Sequence, residues 1–239
     1  DDFFSNETML KRSGERLKKA QLAVCPLSAD TQITFHDLDF SLREQIESSD
    51  FWAFIQDHLH QNLVTRLSKD TADKRMSFDR DMSCTLTRML PEMQKVGLKT
   101  FRLIYKICHD RTQDNLPIYK TRRLIQLLMN NSADVKDECF IQLIKQTRKN
   151  PYLQGNLNEW RLMSLVCSYV APSQYFLYYF LNYAMDTFLN GSDAEVRQWA
   201  SFVLIRTLST NRVTERMVLP AFDEMRCIED RRMIPIQIH

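Results

Sequence analysis

Residues 137–173 read DECFIQLIKQTRKNPYLQGNLNEWRLMSLVCSYVAPS, and this stretch limits the fold more than any other. Cys139, Leu143 and Gln146 recur at helical spacing, and so do Phe140, Ile144 and Thr147. The first helix of the stretch therefore has more than one apolar face. Asn150-Pro151 closes it, because proline lacks an N–H and drives the residue before it out of the α region. Gly155-Asn156 reads as the turn, and a second helix is predicted over 157–170. That helix is apolar nearly all round, with Trp160, Leu162, Met163, Leu165, Val166, Cys167 and Tyr169. A helix with no polar side needs neighbours on every side, which places it in the middle of a helical domain. Ala171-Pro172-Ser173 then ends it and opens the next element.

The rest of the chain fits a helical domain around that pair. Only 4 glycines and 7 prolines occur in 239 residues, too few turn formers for a sandwich or barrel. A net charge of +2 gives no sign of nucleic-acid binding. Six scattered cysteines, mostly within apolar runs and with no C-x-x-C pair, read as reduced core residues of a cytosolic protein. The chain begins at Asp1 without a signal peptide and reads as an excerpt of a longer protein. No transmembrane segment is expected: the most apolar run, 175–189, is short, tyrosine-rich and interrupted by Asn182 and Asp186.

In order along the chain, Lys11, Arg12, Arg16, Lys18 and Lys19 form a basic run, with Leu10, Leu17 and Val24 at heptad spacing. A solvated helix or linker end is the simpler reading, a binding arm the other. Ile33, Phe35, Leu38, Phe40 and Leu42 alternate briefly, suggesting an extended segment. Ser48-Ser49-Asp50 is a helix start signal, and residues 68–80 read as a charged loop. Pro91 opens a helix to about residue 109. On its wheel Leu98, Phe101, Tyr105 and Cys108 share one face, while Lys95, Lys99, Arg102 and Lys106 form a separate narrow stripe. Pro117 lies near the start of a helix to Met129, and Asn130-Asn131-Ser132 breaks it. Ser192-Asp193-Ala194-Glu195 reads as a capping box after Asn190-Gly191, and Pro220 begins a last short helix. Ile234, Ile236 and Ile238 alternate as in a strand whose partners would lie in a following domain.

No catalytic constellation stands out. There is no glycine-rich phosphate loop. His58 and His60 point to opposite sides of a helix, so no metal site is expected, and no cofactor. Asp79 and Asp81 read as solvated loop residues, and Cys108-His109 as a buried thiol beside a surface ring. Cations are more informative. Lys145, Arg148 and Lys149 cluster at the end of the first helix of the 137–173 stretch, where they also complement its dipole, and Arg161 follows the turn. With Lys95, Lys99, Arg102 and Lys106 they could form one basic surface that attracts an acidic partner.

The string D-E-x-F-x-Q-x-x-K-Q-T-R-x-N-P, then W-x-L-x-x-L, then A-P-S before an aromatic helix, resembles the MyTH4 domain. Ser83-Cys84-Thr85-Leu86 departs from the proline-containing string usual there. The resemblance implies an all-α, compact multi-helix bundle of roughly eight to ten helices. It implies an N-terminal extension over 1–47, the helical domain over 48–232, and the start of a FERM-like domain over 233–239. The expected function is a non-catalytic tail module of a myosin or kinesin, cytoplasmic and associated with the cytoskeleton. It would bind microtubules or acidic cargo or adaptor segments through the basic surface, and brace an adjacent FERM domain. The alternative is a regulatory domain of a RhoGAP-type protein.

Overall fold

The computed structural model describes residues 40–59, 67–110, 115–210 and 218–230. Among these residues there are ten helices and no strand. They are α1 Phe40–Ser48, α2 Phe51–His58, α3 Lys69–Arg75, α4 Pro91–Cys108, α5 Ile118–Met129, α6 Ala133–Thr147, α7 Leu153–Cys167, α8 Leu177–Asn190, α9 Ala194–Thr210 and α10 Phe222–Glu229. The all-α expectation holds. The basic run 11–19, Cys25, His60 and the alternating isoleucines of 233–239 lie outside the described residues.

α7 is the axis. It packs at once against α4, α6, α9 and α10. Trp160, at 1% exposed, stands in the core, its ring parallel to that of Tyr183 on α8 at 6.0 Å. A helix apolar on every side has found a neighbour on every side. α8 and α9 lie against each other, and α1 and α2 lie on α8. Asn182 brackets the α1–α2 junction: its Nδ2 donates to the Ile46 carbonyl (3.0 Å) and its Oδ1 accepts from the Phe51 N–H (3.4 Å).

Side chains at the helix starts satisfy N–H groups that have no partner within the helix. Asp50 Oδ1 accepts from the Trp52 N–H, Ser68 Oγ from the Thr71 N–H, and Asp193 Oδ1 from the Val196 N–H. The cap of α9 is thus Asp193 itself, and Glu195 turns instead to Arg161 and Trp199.

Three local expectations are corrected. Phe40 and Leu42 belong to helix α1, not to an extended segment, with Ile46 buried beneath it. The charged loop contains helix α3, which Ser68 caps, with Asp70 in its first turn and Lys74 and Arg75 in its last; Ala72 and Met76 are buried. The turn between α6 and α7 comes at Lys149, whose φ of 49° is the left-handed conformation common just past a helix end. Gly155 lies inside the first turn of α7 instead.

Gly97 marks where α4 meets the 85–89 segment. A Cβ there would stand 2.7 Å from Thr85 Cγ2. Thr85 is itself buried, and its hydroxyl donates to the Thr87 carbonyl at 2.9 Å. Gly97→Ala is therefore expected to lower stability by about 1 kcal/mol net, because overpacking outweighs the helix-propensity gain of alanine. Urea unfolding that shows the variant equal to or more stable than the parent would overturn this.

Candidate functional site

The polar residues of α6 meet the 73–88 stretch, which has no regular partner of its own beyond a single bridge from Leu59 to Thr87. Glu138 is fully buried and accepts from the Leu86 and Thr87 N–H groups, both at 2.8 Å, and from the Thr87 hydroxyl at 2.6 Å. Burial pushes its carboxyl above the ordinary range, and these donors pull it back. Gln142 Nε2 donates to Glu138 and to the Gly97 carbonyl. One turn on, Lys145 Nζ donates to the carbonyls of Arg75 (2.7 Å) and Ser77 (2.5 Å), and Gln146 Nε2 to that of Asp79 (2.9 Å). The Phe78 N–H returns to the Arg148 carbonyl at 2.8 Å. At the other end of α6, Asp137 accepts from the N–H and hydroxyl of Ser173, and Ser173 Oγ accepts from the Phe176 N–H.

Lys145 is consequently not part of a basic surface. It is 5% exposed, and desolvation lowers its pKa. Its neighbours on the helix explain why: residues 138–147 are buried without interruption, so α6 offers a cation no wet side there. Arg148 is half-buried, with its guanidinium 2.6 Å from Asp73 Oδ1 and 4.1 Å from the Trp52 ring centroid. Lys149 is exposed and pairs with the other oxygen of Asp73, and this hydrogen bond, seconded by that of Arg148, holds the Asp73 carboxyl below its usual value. Arg161 reaches a different element, α9, where it lies 3.4 Å from Glu195 Oε1 and over the Trp199 ring.

Lys95, Lys99, Arg102 and Lys106 stand apart from these. All four are exposed along α4, and none pairs with a described carboxylate. At 1.5 Å per residue they span about 16 Å of one helix face. The eight cations thus occupy three settings: a clamp on the 73–79 segment that runs from buried Lys145 through half-buried Arg148 to exposed Lys149, an α7–α9 contact, and a solvated row on α4.

Chemistry of other kinds has little footing among the described residues. No cluster of three His, Cys, Asp or Glu is placed to hold a metal ion, and no helix is long and apolar enough to cross a membrane. His58 is engaged on both ring nitrogens, with the Phe54 carbonyl and the Tyr175 hydroxyl each at 2.8 Å. Cys108, Cys139 and Cys167 are buried free thiols as expected, whereas Cys84 is exposed. One group was not foreseen. Glu159, on α7, is fully buried beside the Cys108 thiol, neither of its carboxyl oxygens has a geometric hydrogen-bond partner among the described residues, and burial pushes it up to about 8.

Residues 121–227 match the family model of the MyTH4 domain. The chain is 29% identical over 108 residues to the myosin-I heavy chain of Dictyostelium discoideum, a match that covers 44% of this chain and 4% of that protein. It is 24% identical over 172 residues to the kinesin-like protein KIN-14I of Oryza sativa subsp. japonica, covering 70% of this chain and 14% of that one. The chain thus spans a small part of these relatives. Among solved structures, the MyTH4-FERM MF1 domain of Dictyostelium discoideum myosin VII superposes with a TM-score of 0.65 at 18% identity, covering 82% of this chain and 39% of the other. The C-terminal MyTH4-FERM domain of human myosin 7b, in complex with the harmonin-a PDZ3 domain, gives 0.56 at 14% identity, covering 75% and 35%.

Proposed function

We propose that this chain, which carries a MyTH4 domain over residues 121–227, is a non-catalytic tail module of a cytoskeletal motor that docks an acidic partner on α4. The row of four exposed cations on that helix, none paired with a described carboxylate, carries the reading. Fixed along the exposed face of one helix, such a row gives long-range attraction and orientation, not a deep pocket. Microtubules and acidic cargo or adaptor segments both present the complementary charge. The motor relatives support a cytoplasmic, cytoskeleton-associated setting and do not favour the RhoGAP alternative. The solved neighbours are MyTH4-FERM structures, which supports a FERM domain adjacent in the full protein for the helical domain to brace.

Reversing the row (Lys95→Glu, Lys99→Glu, Arg102→Glu, Lys106→Glu) is expected to abolish co-sedimentation with microtubules. Each single reversal is expected to weaken it and to reduce its salt dependence, since exposed charges are screened over about 8–10 Å at physiological ionic strength. Stability should move by no more than about 0.5 kcal/mol for each single change. Unchanged co-sedimentation by the folded quadruple variant would rule out α4 as the docking surface.

A further inference from the structure

The cation row on α4 has two flanks, and they differ. At about 100° per residue, Val96 and Leu103 lie on one side of the row and Leu98 and Tyr105 on the other. Val96 and Leu103 pack against the core, whereas Leu98 and Tyr105, both half-buried, lie outside that layer. Leu98 is three residues from Lys95 and four from Arg102, and Tyr105 is three from Arg102, spacings that make helical side chains neighbours. From Tyr105 a line of rings leaves the helix. The Tyr105 ring stacks on that of His109 at 4.2 Å, His109 meets Phe78 at 5.8 Å, and Phe78 meets Tyr152 at 6.2 Å. Gly155 leaves room between them: a Cβ there would lie 3.5 Å from both His109 Nε2 and Tyr152 Cβ. Tyr152 is 40% exposed, and Leu153 after it is 57% exposed. Arg80 closes the far end, donating to the Tyr152 hydroxyl with its guanidinium 5.7 Å from the ring centroid.

We propose that the acidic partner of α4 is a peptide segment with an aromatic residue beside its carboxylates, and that this ring lies on the ledge from Tyr105 to Leu153. The proposal rests on the α4 reading and narrows it to one class of partner. Exposed ion pairs steer and orient a partner, but they add little affinity and let it slide along the row. An apolar ledge at the C-terminal end of the row supplies the missing contact and fixes the register. A ring suits that ledge better than an aliphatic side chain, because Tyr105, Phe78 and Tyr152 offer it both faces and edges, and Arg80 a cation. The charges divide in the same way. The four lysines and arginines of the row are exposed, whereas Asp79 and Asp81, exposed on either side of Arg80 in the chain, keep the ledge end near neutral. The partner's carboxylates therefore belong over Lys99, Arg102 and Lys106, and its uncharged ring beyond them. An extended segment at about 3.3 Å per residue covers the row of about 16 Å with about five residues.

The test uses two fluorescein-labelled peptides, an oligoglutamate and the same oligoglutamate ending in Trp-Gly-Trp, each titrated into the intact chain by anisotropy. The tryptophan peptide is expected to bind at least about ten-fold more tightly. Replacing the exposed Tyr152→Ala and Leu153→Ser together is expected to bring it down to the oligoglutamate level. Binding of the oligoglutamate itself should be unchanged by that pair, which shows the fold and the row to be intact. Leu98→Ser is expected to act in the same direction from the helix side. Reversal of all four row cations should abolish binding of both peptides. Equal affinity of the two peptides, or an advantage that survives Tyr152→Ala with Leu153→Ser, would overturn the ledge and leave the α4 reading standing. Failure of both peptides to bind, while co-sedimentation with microtubules still depends on the row, would make the filament the partner and overturn the ledge alone. Failure of both peptides together with co-sedimentation untouched by the reversal would overturn the ledge and the α4 reading at once.

Discussion

Lys145→Glu is expected to lower stability by about 4 kcal/mol, enough to unfold a marginal domain. The ammonium fills a buried site built by the Arg75 and Ser77 carbonyls, and Asp79 adds a favourable field. A carboxylate there would face acceptors only, with no water to solvate it. Lys145→Met should cost less, about 2 kcal/mol, since it keeps the stem packed and leaves two carbonyls unsatisfied. Lys99→Glu, on the solvated row, should stay within about 0.5 kcal/mol. The three variants separate a structural cation from a surface one by urea unfolding alone. Equal stability of Lys145→Glu and Lys99→Glu would place Lys145 in solvent and refute its role as a clamp.

The second large effect is a pH dependence set by Glu159. Its carboxyl is raised from 4.5 to about 8 by burial, with the Cys108 thiol of α4 adjoining and that of Cys139 on α6 near enough to interact. Between those values the native state holds a proton that the unfolded chain has released. Stability therefore falls as pH rises through this window, by up to about 1.4 kcal/mol per unit, and no further above it. Glu159→Gln removes the titration. Its stability relative to the parent should accordingly rise by roughly 2–3 kcal/mol between pH 5.5 and 7.5. Parallel unfolding profiles for the two proteins over that range would show that Glu159 is ionised in the folded state. Far-ultraviolet circular dichroism in urea at each pH is sufficient.

Much of the fold was legible because its helices announce themselves. Pro91 and Pro117 mark the entries to α4 and α5, the wheel of α4 separates its buried and charged sides, and the all-round apolarity of α7 places it at the centre. What the sequence hides depends on contacts distant in it. Helix α3 is mostly charged and shows only Ala72 to the core, so periodicity had nothing to detect. The turn at Lys149 uses a lysine where a glycine would signal it, and the Asp73 pair that accompanies it lies 76 residues away. Its place beside Arg148 and Lys149 at the helix end makes Lys145 look like a surface cation. The better signal was present: Phe140, Ile141, Leu143 and Ile144 leave α6 no solvated side, so a cation among them must find its partners inside. Glu159 gave the same hint, as a carboxylate beside Trp160 on a helix without a polar face.

The clamp made by α6 has a further consequence for how this sequence can change over time. Glu138 reads the N–H groups of Leu86 and Thr87, Lys145 the carbonyls of Arg75 and Ser77, and Gln146 that of Asp79. Save for the Thr87 hydroxyl, every one of these contacts is to main chain: carbonyls, which every residue type offers, and N–H groups, which every type but proline offers. The helix is thus the rigid reader, and the 75–86 stretch a text whose letters it ignores. Mutations should accumulate freely at exposed positions of that stretch, such as Ser83 and Cys84, without altering its path. The same number of changes on the inner side of α6 would remove the path altogether. Changes at Ser83 and Cys84 are then the drift this arrangement permits, while Glu138, Gln142, Lys145 and Gln146 are the positions it holds fixed.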